Sequence, residues 1–368
     1  MKLAFTLFKY FPYGGLQKDM WRIAHACADL GHQVEIFCGV WQGEKPIQMP
    51  VYELGKKGWS NHTKNRRFSE RFAAAIAEKN FDQVIGFDRL PGLDWYYAAD
   101  SCFKAKKISP WYALTPRVRH FLRVEASVFG RQSSTQLLMI SQAEMASYQQ
   151  CYQTQSERFY LLPPGISPDR IAPKNSDEIA TATRQMLGIE DEQKLLLMVG
   201  SGFKTKGVDR SIRALAELPS EQRQRVQLKI AGQDSPERYL ALAKKLGVAS
   251  QVEFLGGRDD VPSLLLAADL LIHPAYRENT GTVLLEAMVA GTPVLASEVC
   301  GYSHYIRDYS MGFVVPSPLQ LSLLSQQLSV LLFNSQIDWQ ANGRHFANTA
   351  DIFSMPVRAA ELITGSAQ

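Results

Sequence analysis

Cysteine is scarce in this chain. The five cysteines stand at positions 27, 38, 102, 151 and 300, with no C-x-x-C pair among them. An odd, scattered set argues against a disulfide framework or a structural zinc site and suits a reducing compartment. No run approaches the roughly 18 apolar residues that a membrane-spanning helix requires. The opening run, Lys2 to Phe8, is too short for a signal-peptide core, so a cytosolic protein is expected unless something holds it on a surface. The seven histidines include no pair spaced by three or four residues, which removes the usual helical metal-ligand pattern. There is no D-x-D triplet either. A net charge of +4 is small for 368 residues, so where the charge lies matters more than its sum.

With 46% hydrophobic and 21% charged residues, the composition is that of an ordinary globular protein. The length exceeds what one hydrophobic core usually supports, so two domains are expected. The first half opens with a strand, LAFTLF, a loop, KYFPYGG, and a helical pattern with Leu16, Met20, Ile23, Ala24, Cys27 and Leu30 on one face. Gly31 stands where a helix C-cap belongs, and the strand QVEIFCG follows. That strand–helix–strand unit opens a doubly wound parallel sheet. The second half repeats the plan. Strands are expected at 194–201, 226–232, 252–256, 270–275 and 292–299, with helices around 208–218, 237–247, 261–268 and 281–290. Between the halves lies LLPPGISPDRIAP (161–173), whose four prolines and glycine make it the expected hinge. The fold class is therefore α/β, with ligands expected at the carboxyl ends of the strands.

The most informative segment is YRENTGTVLLEAMVAGTPVLAS. A strand ends near Ala275, a polar loop follows, and a helix starts at about Gly281. The backbone N–H groups of Thr280, Gly281, Thr282 and Val283 would be the unpaired donors of that helix start, an anion site. Glu278 and Glu286 lie eight residues apart, one before the helix and one in its second turn. Carboxylates suit sugars because they only accept hydrogen bonds while hydroxyls donate. Taken alone, the two glutamates read as a solvated loop charge and a helix-surface residue. In their neighbourhood they resemble the E-x7-E signature of retaining glycosyltransferases with the GT-B fold, and AMVAGTPVLAS matches that family's continuation.

The resemblance runs along nearly the whole chain. The Gly14-Gly15 loop looks like the glycine loop that closes over the donor phosphates, and PPGI at 163–166 is similar to the interdomain segment. In GSGFKTKGVDRSI, Lys206 takes the family's phosphate-binding lysine position. At the arginine position the sequence departs from the pattern, with Lys204 as a substitute point charge. FKYFPYGGLQKDMWRIA, LPPGISPDR, KGVDRSI and VCGYSHYI are similar, more narrowly, to lipopolysaccharide core glucosyltransferases that act on the inner-core heptose. The resemblance implies two Rossmann-like domains facing across a cleft: an acceptor-side domain at 1–163, a donor domain at 164–349, and a last helix, about 350–368, returning to the first. It implies UDP-glucose as donor, with Glu278, Asn279 and Thr280 at the sugar, Glu286 at the ribose, Lys206 at the diphosphate and Arg258 near the uridine. Asp19 and Asp100 match acceptor-side positions, and a structural or surface carboxylate is the other reading of each. No protein nucleophile is implied. A donor phosphate oxygen would help deprotonate the acceptor while the protein positions the reactants and stabilises the leaving diphosphate. The missing D-x-D triplet points to activity without a metal cofactor.

Between Ser101 and Val124 there is no acidic residue. Lys104, Lys106, Lys107, Arg117, Arg119 and Arg123 are interleaved there with Phe103, Trp111, Tyr112 and Phe121. Lys56, Lys57, Lys64, Arg66 and Arg67 form a second basic cluster. Near an anionic leaflet each basic residue contributes roughly 1 kcal/mol, and aromatics suit the headgroup region. A peripheral protein on the cytoplasmic leaflet of the inner membrane is expected, with a solvated charged face as the plain alternative. No recognised nucleic-acid motif accompanies the charge.

An oxidoreductase would need a dinucleotide fingerprint, but Gly200 and Gly202 are followed by Thr205 where glycine is required. A phosphate loop fails because Val208 follows Gly207. A non-catalytic binding module would leave Glu278, Glu286 and Lys206 unexplained. His273, before Pro274 at a strand end, reads as structural, and His120 as a surface or core residue.

Overall fold

A computed structural model describes residues 1–12, 14–106, 109–334 and 336–366. It separates into two compact units, Met1–Gly165 with Phe353–Gln368, and Ile166–Ile352. The break falls inside the Pro-Pro-Gly-Ile segment, where neither a helix nor a ladder continues.

The first unit is a seven-stranded parallel sheet. Its strands are β1 (Lys2–Tyr10), β2 (Gln33–Trp41), β3 (Val51–Glu53), β4 (Gln83–Gly86), β5 (Trp95–Ala98), β6 (Gln136–Met139) and β7 (Phe159–Leu161), in the order β3-β2-β1-β4-β5-β6-β7. Five helices connect them: α1 (Gly15–Asp29), α2 (Asn61–Ala77), α3 (Pro110–Ala113), α4 (Pro116–Phe129) and α5 (Gln142–Tyr152). The helix starts are written locally. Ser60, Thr115 and Ser141 accept hydrogen bonds from the backbone N–H groups of Thr63, Val118 and Glu144, and Pro116 occupies a first turn that has no need of its N–H. Alternation along β1 turns Leu3, Phe5 and Leu7 onto Met20, Ile23, Ala24 and Cys27 of α1, all fully buried. β1 runs two residues further than the sequence suggests, taking Lys9 and Tyr10 out of the expected loop.

The second unit is a six-stranded parallel sheet of β8 (Lys194–Val199), β9 (Val226–Ala231), β10 (Val252–Gly256), β11 (Leu270–His273), β12 (Val294–Ser297) and β13 (Gly312–Val315). Its order is β10-β9-β8-β11-β12-β13. The helices are α6 (Ser176–Met186), α7 (Phe203–Lys206), α8 (Val208–Glu217), α9 (Ser220–Gln224), α10 (Glu237–Lys245), α11 (Val261–Ala267), α12 (Thr282–Val289), α13 (Ser303–Asp308), α14 (Leu321–Ser329) and α15 (Trp339–Thr349). A last helix, α16 (Met355–Thr364), packs on α1 and puts Met355, Ala359, Ala360 and Ile363 into the first unit's core.

Both strand orders are Rossmann-like, reversing direction beside the first strand of each sheet. The crevice at such a reversal is where this topology binds ligands. In the second sheet it lies between β8 and β11, so the loops that follow them, 200–207 and 274–281, are brought together by topology alone. All five cysteines are free thiols, and burial pushes those of Cys27, Cys38, Cys102 and Cys300 up to about 12. Among the described residues no helix is long and apolar enough to cross a membrane.

Candidate active site

Gly207 is what lets the two loops of the second unit meet. Its φ of +80° favours glycine, and a Cβ there would stand 2.2 Å from the carbonyl oxygen of Pro274. Several hydrogen bonds then lace the loops together. The carbonyl of Thr205 accepts from Tyr276 N–H at 2.8 Å, and Arg210 donates to the carbonyls of Pro274 and Ala275 at 3.0 and 2.9 Å. The Arg210 guanidinium also lies 3.5 Å from the centre of the Tyr276 ring. The only arginine of the KGVDR segment is thus engaged in holding the loop.

On this frame the ammonium of Lys206 contacts the carboxylate of Glu278 directly. The same carboxylate oxygen lies 3.1 Å from Nε2 of His273, a fully buried ring at the end of β11. Burial alone would raise the Glu278 pKa. The hydrogen bond from His273 and the charge of Lys206 outweigh it, and the carboxyl is held down at about 2. Burial is also the largest influence on His273 and lowers its pKa, aided by Lys206 and opposed by Glu278. The ring is therefore neutral, donates from Nε2, and leaves a buried Nδ1 with no hydrogen-bond partner among the described residues. His273 is thus part of the site, not merely structural as its sequence position suggested. Its five-residue spacing to Glu278 was the available signal.

The helix start differs slightly from expectation. Gly281 is the N-cap of α12, with φ of +87°, and the helix proper begins at Thr282. The N–H of Leu284 already donates to the Gly281 carbonyl, and Thr280 accepts from Tyr302 N–H. With Gly281 as the N-cap, the unpaired donors of the first turn centre on Thr282 and Val283 rather than beginning at Thr280. Glu286, one turn into the helix, faces Arg170 of the proline-rich segment at 3.6 Å. Arg170 was missed in the sequence, where a lone arginine in SPDR was its only trace.

Other candidates lie apart from this cluster. Lys204 is exposed and joins none of these hydrogen bonds. Arg258 makes a two-pronged contact with Asp260, at 2.8 and 2.5 Å, and reaches Met186. In the first unit, Gly14 caps α1 and Gly15 begins it, with Gln17 folded back to donate to the Lys9 carbonyl at 2.9 Å. Asp19 is held by Arg22 at 2.5 Å and the Tyr97 hydroxyl at 2.8 Å, and burial raises its pKa. Asp100 is exposed beyond β5, where its carbonyl accepts from the Tyr148 hydroxyl.

The basic stretch is anchored by an acid just beyond it. Glu125, fully buried, pairs with Arg89 at 2.9 Å and accepts from the N–H groups of Phe103 and Lys104. Lys104, Lys106 and Arg117 lie near the rings of Tyr152, Phe103 and Phe121. Arg119, Arg123 and Trp111 are exposed, and Lys107 lies outside the described residues.

Residues 180–345, which contain Lys206, Glu278 and Glu286, match the family model for glycosyl transferases group 1. The chain is 45% identical to the lipopolysaccharide glucosyltransferase WaaG of Escherichia coli (strain K12), over 99% of both sequences. The chain belongs to the group 1 glycosyltransferases. The crystal structure of WaaG, a glycosyltransferase involved in lipopolysaccharide biosynthesis, superposes with a TM-score of 0.92 over 99% of this chain and 100% of that one. Anabaena HepE in complex with UDP-glucose gives 0.76 at 18% identity, over 99% of this chain and 100% of that one, which bears on the fold alone. The fold is GT-B, and Lys206, Glu278 and Glu286 all lie in the second unit, within the stretch that the family model matches.

Proposed function

We propose that this glycosyltransferase moves glucose from UDP-glucose to the inner-core heptose of lipopolysaccharide, with retention of anomeric configuration. The observation that carries the reading is the near-complete alignment at 45% identity with a lipopolysaccharide glucosyltransferase, joined to the Lys206–Glu278 pair at the sheet's switch point. Lys206 and the start of α12 supply positive potential for a diphosphate, Glu278 accepts hydrogen bonds from sugar hydroxyls, and Glu286 accepts from the ribose. The chemistry asked of the protein is positioning and charge stabilisation. Asp19 and Asp100 are read as acceptor-side residues, and Gly14 and Gly15 as donor-binding ones, as the family resemblance implies. No metal cofactor is required, a reading supported by the absence of a D-x-D triplet.

The experiment combines purified protein, a heptose-terminated lipopolysaccharide core and a panel of nucleotide sugars, with the product anomer read by NMR. Transfer from UDP-glucose, an α-linked product and unchanged rate after full chelation are expected. A different preferred sugar refutes the donor assignment, an inverted anomer refutes the mechanism, and loss of activity restored by Mn²⁺ or Mg²⁺ refutes the metal-free reading.

The acceptor is a lipid, and the first unit carries Arg117, Arg119, Arg123 and an exposed Trp111. On this reading the unit docks on the anionic cytoplasmic leaflet and does not bind nucleic acid. Co-sedimentation with anionic vesicles is expected at low salt and is expected to weaken on charge reversal of those arginines. Sedimentation that is indifferent to both salt and charge reversal contradicts it.

A further inference from the structure

Two basic runs that are far apart in the sequence lie on packed helices, α2 and α4. They meet at two half-buried histidines. The rings of His62 and His120 stand 6.2 Å apart, centre to centre, tilted by 49°. Arg66 follows His62 by one turn of α2, and Arg123 follows His120 by one turn of α4. Helical spacing puts Arg66 on the face of His62 and Arg123 on the face of His120, and the charge of both arginines reaches His120. Ser60 adds a hydroxyl 3.0 Å from Nδ1 of His62.

The electrostatics of this cluster are one-sided. Burial, and then His62, Arg123 and Arg66, hold the His120 ring below the ordinary imidazole value, with no carboxylate among the described residues that act on it. Glu70 touches Arg66 at 3.7 Å, but both side chains are about two-thirds exposed (64% and 65%), so the pair is screened and weak. Four cationic or protonatable groups converging from two helices form an arrangement that an anion would complete. A tetrahedral phosphate offers oxygens in several directions and can accept from donors on both helices at once. A planar carboxylate meets one arginine fork well and leaves the other helix unserved. Trp59, at the foot of α2, and Trp111, before α4, are almost wholly exposed. Indoles in that setting suit a headgroup region.

We propose that His62, Arg66, His120 and Arg123 form a site for the phosphate of an anionic lipid headgroup. The phosphate chemistry rests on the cluster itself, and its lipid source rests on the leaflet-docking reading above. Bound phosphate supplies the charge the cluster lacks, so His120 gains a proton on binding. The neutral ring must be protonated in the complex, so affinity for a phosphodiester headgroup, whose single charge does not change between about pH 6 and about pH 8, rises as pH falls across the imidazole range.

The test follows the ring resonances of carbon-labelled histidines in the full chain at constant ionic strength. One titration adds dimethyl phosphate and a second adds a soluble short-chain phosphatidylglycerol, both phosphodiesters that stay monoanionic at each pH used. His62 and His120 are expected to move together and saturate, at lower concentration with the lipid phosphate and more tightly at about pH 6 than at about pH 8. Arg123→Gln is expected to weaken binding by about tenfold without lowering the melting temperature. Silence of both histidines, equal shifts with chloride, or an unaffected Arg123→Gln variant overturns the site. An equal response to both phosphates overturns the lipid source. If anionic vesicles still bind a His62→Gln/Arg123→Gln variant as tightly as wild type, this site is wrong while the broader docking reading stands.

Discussion

Glu278 accepts from a neutral imidazole on one side and pairs with Lys206 on the other, and its carboxyl titrates near 2 where 4.5 is ordinary. A depressed carboxyl pKa contributes stability that is fully present above the unfolded value and is lost as pH falls through the folded one. Wild type should therefore exceed Glu278→Gln by roughly 1–3 kcal/mol at neutral pH. The gap should narrow as pH drops from about 4.5 towards about 2. Urea unfolding across that range checks it, and a gap independent of pH contradicts it. At this scale the sequence was partly legible. Glu278, Glu286 and Lys206 were singled out from spacing and resemblance, but the side chains that meet the two glutamates were not all foreseen. His273 and Arg170 come to the two glutamates because of where β11 ends and where the proline segment runs, which no local pattern encodes. The partner of Arg258, by contrast, is local, an aspartate two residues away.

At the scale of elements, the second sheet was largely readable because its strands are short Leu- and Val-rich runs between amphipathic helices. β13 escaped notice. Its GFVV is only four residues long and carries no period. The length of β1 was underestimated because Lys9 and Tyr10 look like loop residues, yet they complete the ladder with Val40 and Trp41 of β2. The contact between the 200–207 loop and the Glu278 loop depends on a single hydrogen in place of a side chain. Gly207→Ala forces a methyl group against the Pro274 carbonyl and strains a positive φ. A loss of about 1–3 kcal/mol is expected, seen as a lower melting temperature. The mutation should also displace Lys206 from Glu278, so donor affinity should fall further than stability accounts for. Unchanged melting together with unchanged donor affinity contradicts the packing argument.

For the whole molecule, the α/β class and two-unit plan follow from length, repeated strand–helix alternation and the proline-rich segment. The strand orders do not, because register and neighbour choice are settled by long-range packing. The basic stretch was visible as a run without acids. Its anchoring was hidden, since Glu125 lies just past the run and Arg89 far upstream. The central claim is that the Lys206–Glu278 pair at the switch point serves transfer of glucose to a lipopolysaccharide core. The direct measurement is acceptor-dependent UDP release from UDP-glucose by wild type, Glu278→Ala and Lys206→Ala, each first shown to be folded. Turnover by wild type is predicted to need the heptose-terminated core, and kcat/KM is predicted to fall by about 10²–10³ in each variant. Folded variants that turn over at the wild-type rate, or wild type that releases no UDP with core present, would contradict the account.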